Sequence, residues 1–345
     1  MSSHPTTSRV WTLAEPPTGP ITSSTFSLET QDLPELKDGQ VLVQPTHLSN
    51  DPAQRTWMDG DTDPRRLYAP PILKGQSVTA GGIAKVIKSK SSKWKEGQEV
   101  SGTFGWYEYA VVDESQIQSE AIKIPGQSPV ISLSFLGGIG LTAYFGVFDV
   151  CKLEKDSVVV VSGAAGAVGS TVVQIAKKVV GCKKVIGIAG GKEKCDWVKS
   201  LGADECVDYK SSSYAKDLKD LLPDYADVYF DNVGGEILDV MLPLVKRYGK
   251  IAVCGSIANY NGEPMKLKNW REVIYNRLHI QGLIIFDYLD RAGQAISDLS
   301  GWIKDGKIET TGGEMIVDTK FEDIPATWQM LFEGGNKGKL ITKLQ

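Results

Sequence analysis

The chain has 345 residues, enough for two domains, and 41% of them are hydrophobic, as in an ordinary globular protein. A formal net charge of −4 without a long basic run gives no electrostatic footprint for nucleic acid, and no apolar run approaches membrane-span length. The five cysteines (Cys151, Cys182, Cys195, Cys206 and Cys254) are scattered, odd in number and without zinc-ligand spacing, as expected of reduced thiols. Met1-Ser-Ser-His carries no basic-plus-apolar leader pattern and Thr342-Lys-Leu-Gln345 no lipidation signal, so a cytoplasmic location and no membrane partner are expected.

In the first third, residues 41–49, 82–88 and 107–113 alternate or cluster apolar side chains over short spans. Turns such as Lys37-Asp38-Gly39 and Lys95-Glu96-Gly97 separate them, which reads as a compact, mostly β domain over residues 1–133. Lys88, Lys90, Lys93 and Lys95 form the densest basic patch and read as a solvated loop. Residues 134–148 read as a buried helix whose glycines permit close packing.

Next comes Val158-Val-Val-Val161-Ser-Gly163-Ala-Ala-Gly166-Ala-Val-Gly169. The β-branched run is a buried strand and the small residues a tight turn. A helix follows, with Val172, Val173, Ala176 and Val180 at helical spacing and Gly181 as its stop. A strand ending in glycines at a helix N-terminus suits a dinucleotide pyrophosphate. Gly166 would let phosphate approach, and Gly169 would let helix and strand pack closely. The spacing departs from G-x-G-x-x-G, since Ala164 takes the first glycine position.

Further short apolar runs follow at 185–188, 206–207, 228–230, 251–254 and 278–286. Helix-like segments at 192–201, 214–222 and 237–246 separate most of them. Six strands alternating with helices give the expected fold class: α/β, a Rossmann-like doubly wound parallel sheet over residues 134–309, with its ligand at the carboxyl ends of the strands. The tail, residues 310–345, resumes strands at 314–317 and 339–342 around a helix at 324–332. It is expected to return to the first domain.

The second strand runs into Ala189-Gly190-Gly191-Lys192-Glu193-Lys194. An NAD site places a carboxylate at this tip for the ribose 2′-hydroxyl; here the tip has none, and Lys194 can reach a 2′-phosphate. NADPH is therefore the expected cofactor.

With these pieces placed, the chain resembles the medium-chain dehydrogenases/reductases. Within them it is most similar to the zinc-independent prostaglandin reductases (leukotriene B4 12-hydroxydehydrogenases) and alkenal double-bond reductases. The matching residues are Asp51-Pro52 with Arg55, Ala164 to Gly169, Gly190 to Lys194, Leu201-Gly-Ala-Asp204, Tyr209-Lys210, Phe230-Asp-Asn-Val-Gly-Gly-Glu236, Cys254-Gly-Ser-Ile257, Ile274-Tyr275, and Gly335-Asn336-Lys337-Gly338-Lys339. The resemblance implies a GroES-like catalytic domain completed by the tail, an inserted Rossmann domain and a homodimer. It implies a pyrophosphate turn at Gly166, Ala167, Val168 and Gly169, and a 2′-phosphate end at Lys194 and Tyr209. It implies Asn232 near the ribose or nicotinamide, with Cys254, Gly255, Ser256, Ile257 and Tyr260 lining the cofactor. Leu283, Ile285 and Phe286 would flank the nicotinamide, and Asn336 would close over the phosphates.

Zinc-dependent relatives carry an early Cys and a Gly-His-Glu segment; here that stretch reads Gly75-Gln76-Ser77, and no Cys precedes Cys151. No metal is expected, and His47 reads as a structural strand residue. The implied reaction is reduction of a C=C bond conjugated to a carbonyl in an enal or enone. Tyr275 is implied as the donor near the enolate or ribose, against the alternative of a packed helix tyrosine. Relatives often carry Tyr after Asp-Pro; here Ala53 stands there, and Asn50, Trp57, Tyr68, Trp106 and Tyr109 are the candidates for the substrate pocket. Two other readings stay open: a quinone oxidoreductase, and a non-catalytic NADPH-binding protein of crystallin-like or nucleic-acid-binding type.

Overall fold

The computed structural model describes residues 4–60 and 63–345. They divide into two compact units. The first holds the described residues up to Leu133 with Met315–Gly335 and Leu340–Gln345, and the second holds Ser134–Glu314 with Asn336–Lys339. Residues 310–314 and 336–339 thus lie with the second unit, because Lys339 N donates to Gly313 O and Gly338 N to Ala165 O, each at 2.8 Å.

The first unit contributes strands β1 (Thr7–Leu13), β2 (Phe26–Asp32), β3 (Gln40–Ser49), β4 (Gly81–Ser89), β5 (Glu99–Thr103), β6 (Ala110–Asp113) and β7 (Ile117–Glu120), with a one-turn helix α1 (Gln54–Trp57). β1 and β2 form an antiparallel pair. Val41, Val43, Val86 and Val100 alternate inward around Trp94 and Phe104. A second cluster gathers Phe26, Trp106 and Trp328.

The second unit opens with α2 (Gly138–Phe145), which widens into a π-helical turn through Cys151. Gly146 allows this approach, since a Cβ there would lie 2.5 Å from the Phe230 ring. Six strands then follow: β8 (Val158–Ser162), β9 (Lys184–Ala189), β10 (Glu205–Asp208), β11 (Ala226–Asp231), β12 (Val245–Val253) and β13 (His279–Gly282). The connecting helices are α3 (Ala167–Gln174), α4 (Lys192–Ser200), α5 (Tyr214–Leu221), α6 (Gly235–Met241) and α7 (Glu272–Tyr275). The sheet order is β10-β9-β8-β11-β12-β13, with every pair parallel. After it come α8 (Ala292–Lys304), β14 (Glu314–Thr319), α9 (Ile324–Gln329) and β15 (Lys339–Leu344). β15 and β14 extend the antiparallel sheet β14-β15-β3-β4-β5-β7 beside β3, and β6 pairs with β3 as well.

Three elements end earlier than their patterns suggest. The helix expected to reach 246 stops at Met241, because Pro243 lacks an N–H and Val245 already opens β12. The apolar run 278–286 is strand only through Gly282 and turns helical from Ile285. The tail helix ends at Gln329 rather than 332.

The turn between β8 and α3 is set by backbone contact. Gly163 takes φ +57, a left-handed position one residue before the expected Ala164. A Cβ at Gly169 would lie 2.3 Å from the Gly163 carbonyl oxygen and 2.9 Å from the Ala164 α-carbon. Neither backbone atom can yield. Gly169→Ala is therefore expected to cost about 1–3 kcal/mol in denaturant unfolding. Gly181→Asn, at φ +78 with open space beside it, is expected to stay within about 0.5 kcal/mol.

Candidate active site

The strand order reverses between β8 and β11, where open α/β sheets hold their ligands. One carboxylate organises this point. Asp231, the last residue of β11, is fully buried. Its Oδ1 accepts from Ser162 Oγ (2.9 Å), Tyr229 OH (2.8 Å), Val233 N (3.0 Å) and Gly234 N (2.9 Å). Its backbone oxygen accepts from Cys254 N at 2.8 Å and Gly255 N at 3.2 Å. Ser162 in turn fixes Asn232: Asn232 N donates to Ser162 Oγ at 3.0 Å and Asn232 Nδ2 to Ser162 O at 2.7 Å. The Asn232 amide oxygen is thereby turned away from Ser162 as an acceptor. The ends of β8, β11 and β12 are thus tied through one residue that sequence reading passed over. Its signals were an acid closing the apolar run Val228-Tyr-Phe230 and its place in the motif Phe230-Asp-Asn-Val-Gly-Gly-Glu236, neither of which assigned it a role.

Next to this node, Gly166, Ala167, Val168 and Gly169 open α3, and no side chain caps its free N–H groups. The tail segment runs alongside: Gly338 bridges Gly166 in parallel fashion, and Asn336 Nδ2 donates to Gly338 O at 3.1 Å. Asn336 is thereby held beside the turn, although 170 residues separate it from Gly166 in sequence.

At the tip of β9, α4 likewise starts without a side-chain cap, after Gly191. Asp208 accepts from Gly191 N at 2.8 Å and Lys210 N at 3.0 Å, which fixes the loop carrying Tyr209 and Lys210. The Tyr209 ring lies over Gly190, where a Cβ would meet it at 2.8 Å. Burial, and then the nearby Lys210 ammonium, lower the pKa of Lys194. Lys210 is thus a second cation near Lys194, to which the sequence reading assigned no role.

After β12, the loop Cys254, Gly255, Ser256, Ile257 and Tyr260 is partly exposed. The Tyr260 hydroxyl accepts from Ser256 N at 3.1 Å and sits against Gly255. Tyr275 does not join this group. It closes α7 just before β13, and the adjacent Asn276 O accepts from Tyr248 N at 2.8 Å, five residues ahead of the carboxyl end of β12. That places Tyr275 at the amino end of the sheet, about 16 Å from the opposite end. It is 60% exposed, so it is not a packed helix tyrosine either. Among the residues expected to flank the nicotinamide, Leu283 is buried and would touch a Cβ at Gly146. Ile285 packs partly against Leu141 and Phe145, and Phe286 is exposed.

In the first unit, Trp106 is not a pocket residue: it is fully buried, with ring centroids 5.2 Å from Phe26 and 6.0 Å from Trp328. Asn50 is buried too, its Nδ2 donating to Thr342 Oγ1 at 2.9 Å. Tyr109 is half-buried and accepts from Gln44 Nε2 at 3.3 Å. Trp57 and Tyr68 remain as a more open aromatic pair, Trp57 Nε1 donating to Tyr68 OH at 3.0 Å.

Among the described residues no three His, Cys, Asp or Glu side chains converge as a metal set. Burial, with Lys343 behind it, lowers the pKa of His47, whose Nδ1 lies 3.1 Å from Thr46 Oγ1. All five cysteines are free thiols. Burial pushes Cys151 and Cys254 up to about 12, Asp231 adding to the effect at Cys254. Burial also pushes Cys182 up to about 11 and raises Cys195 and Cys206, which share a hydrogen bond.

A parallel sheet in this order, with a glycine turn at its switch point and a cationic cluster at the second strand tip, defines a dinucleotide-binding oxidoreductase unit. Family models agree: residues 9–119 match an N-terminal domain of oxidoreductase and residues 167–300 a zinc-binding dehydrogenase domain. Prostaglandin reductase 1 of Bos taurus is 37% identical over 338 residues, covering 96% of this chain and 98% of its own. The NADPH-dependent curcumin reductase of Escherichia coli is 34% identical, covering 97% and 96%. The crystal structure of CurA from Vibrio vulnificus in complex with NADPH superposes with a TM-score of 0.88 at 34% identity, covering 98% and 99%. The chain belongs to the zinc-independent medium-chain dehydrogenases/reductases, a family of oxidoreductase enzymes.

Proposed function

We propose that the protein is an NADPH-dependent reductase of the C=C bond in α,β-unsaturated aldehydes and ketones. The observation that carries the reading is Lys194 with the Lys210 ammonium nearby, on the segments after β9 and β10, while the Asp208 carboxylate is taken up by the Gly191 and Lys210 backbone N–H groups. Relatives over nearly the full length are named prostaglandin reductase and NADPH-dependent curcumin reductase, and one solved neighbour holds NADPH.

The residues present fit the cofactor. The uncapped start of α3 offers N–H groups and a positive helix end to the pyrophosphate, with Asn336 alongside. Lys194 and Lys210 meet the 2′-phosphate, and Tyr209 lies beside it. The Asn232 amide oxygen accepts from a ribose hydroxyl or from the carboxamide. When bound, the cofactor supplies a hydride to the substrate's β-carbon. Charge then gathers on the substrate carbonyl oxygen, a hydrogen-bond donor stabilises it there, and the α-carbon takes a proton from water or a tyrosine to complete the reduction. Tyr260 takes the donor role first assigned to Tyr275: accepting the Ser256 N–H polarises its own O–H for donation. The Trp57–Tyr68 pair, its rings meeting edge to face, supplies an aromatic corner for a conjugated substrate.

A homodimer completes the reading. β13 is an edge strand, exposed along His279–Gly282, and Ile274, Tyr275, Phe286 and Leu289 stand exposed before and after it in sequence. Such an edge is normally covered. A reduced cytoplasmic setting fits the five unpaired thiols.

Lys194→Ala is expected to raise the KM for NADPH at least tenfold more than that for NADH; equal effects would remove the 2′-phosphate assignment. The ammonium is the binding form and its pKa is lowered, so NADPH affinity should fall on the alkaline side at a lower pH than an ordinary lysine would dictate. Tyr260→Phe is expected to lower kcat about tenfold with an enone, and Tyr275→Phe to leave it within about twofold. The same absorbance assay with quinones decides between substrate classes. In sedimentation velocity the protein should run as a dimer and Ile280→Lys as a monomer; identical profiles would sink the edge-strand interface.

A further inference from the structure

Stability does not explain the carboxylate of Asp231. Oδ1 takes four donors, whereas Oδ2 is buried without a hydrogen-bond partner. Among the described residues no lysine, arginine or histidine pairs with it. The two acids beside it keep their protons. Burial and the Asp231 charge hold the Tyr229 phenol well above its ordinary range and the Cys254 thiol at about 12. Every group that meets Oδ1 donates to it, so the carboxylate is the acceptor at the centre of the cluster. An asparagine would receive the same four donors at Oδ1, place an NH2 where Oδ2 stands, and avoid burying a charge. The chain keeps a charge that its hydrogen bonds do not need.

The position of this charge gives it a use. The β8–β10 half of the sheet carries Lys194, Tyr209 and Lys210, the adenosine end of the proposed cofactor. The β11–β13 half, which Asp231 opens, takes the other mononucleotide. Its ring is cationic when oxidised and neutral when reduced. We propose that the buried Asp231 carboxylate favours the oxidised nicotinamide ring over the reduced one and so eases departure of the hydride in the reductive direction. The inference rests on the NADPH reading above.

The test compares Kd for NADPH, by fluorescence, with Kd for NADP+, by calorimetry, in the wild type and Asp231→Asn. The ratio Kd(NADP+)/Kd(NADPH) should rise about tenfold in the variant, as for one charge acting across several ångströms of partly screened interior. Its melting temperature should hold or rise. A wild type that binds neither nucleotide would sink the NADPH reading; a wild type that binds both, with a variant of unchanged ratio, would sink this inference alone. Ser162→Ala removes one donor but keeps the charge, and its ratio should stay within twofold. A shift as large as that of Asp231→Asn would make the effect geometric and overturn the proposal. Should Asp231→Asn fail to fold, Asn232→Asp adds a second negative charge at the same strand end and should lower the ratio; an unchanged or raised ratio overturns the proposal.

Discussion

The backbone of α3 passes so close to the Gly163 carbonyl that position 169 has no room for a side chain. That contact fixes where the helix begins and aims its unpaired N–H groups past the end of β8. The strand ends follow from it. Ser162, the last residue of β8, reaches across to Asp231, and Asp231 gathers the loops after β11 and β12. The tail segment 336–339 pairs with the same turn, so one steric constraint sets the spacing of groups drawn from four stretches of chain.

The electrostatics divide in two along the sheet. At the β9 and β10 tips, Lys194 is partly desolvated with the Lys210 ammonium nearby, and both effects lower its pKa. At the β11 tip a carboxylate is buried without a counter-ion among the described residues. Both arrangements spend stability at the ends of strands whose middles, around Val160, Ile186 and Tyr229, are well-packed hydrophobic core. Strain and unmet charge collect where a ligand can answer them.

Much of the second unit was legible because parallel strands buried on both faces read as continuous apolar runs, and the helices between them keep their 3.6 spacing. The residues of the proposed phosphate-binding end could be picked out for a related reason: they lie within short local motifs. β2 escaped for a local reason, since it is mostly exposed and shows no alternation. The rest of what escaped depended on partners far away in sequence. Trp106 looks like a pocket aromatic in a string of letters, and only its packing on Trp328 makes it core. Tyr260 and Tyr275 are equivalent tyrosines by composition; the parallel register of β12 and β13 puts them at opposite ends of the sheet. Asp231 shares its oxygen with Ser162, 69 positions earlier.

The raised thiols have a chemical meaning for the proposed reduction of conjugated carbonyl compounds. Such molecules are electrophiles that add to thiolates rather than to thiols. A cysteine with a pKa of about 12 is ionised in roughly one molecule in 10⁵ at pH 7. At Cys151 and Cys254 the polypeptide therefore presents its proposed substrates with almost no thiolate, which limits self-inactivation by alkylation at those two sulfurs.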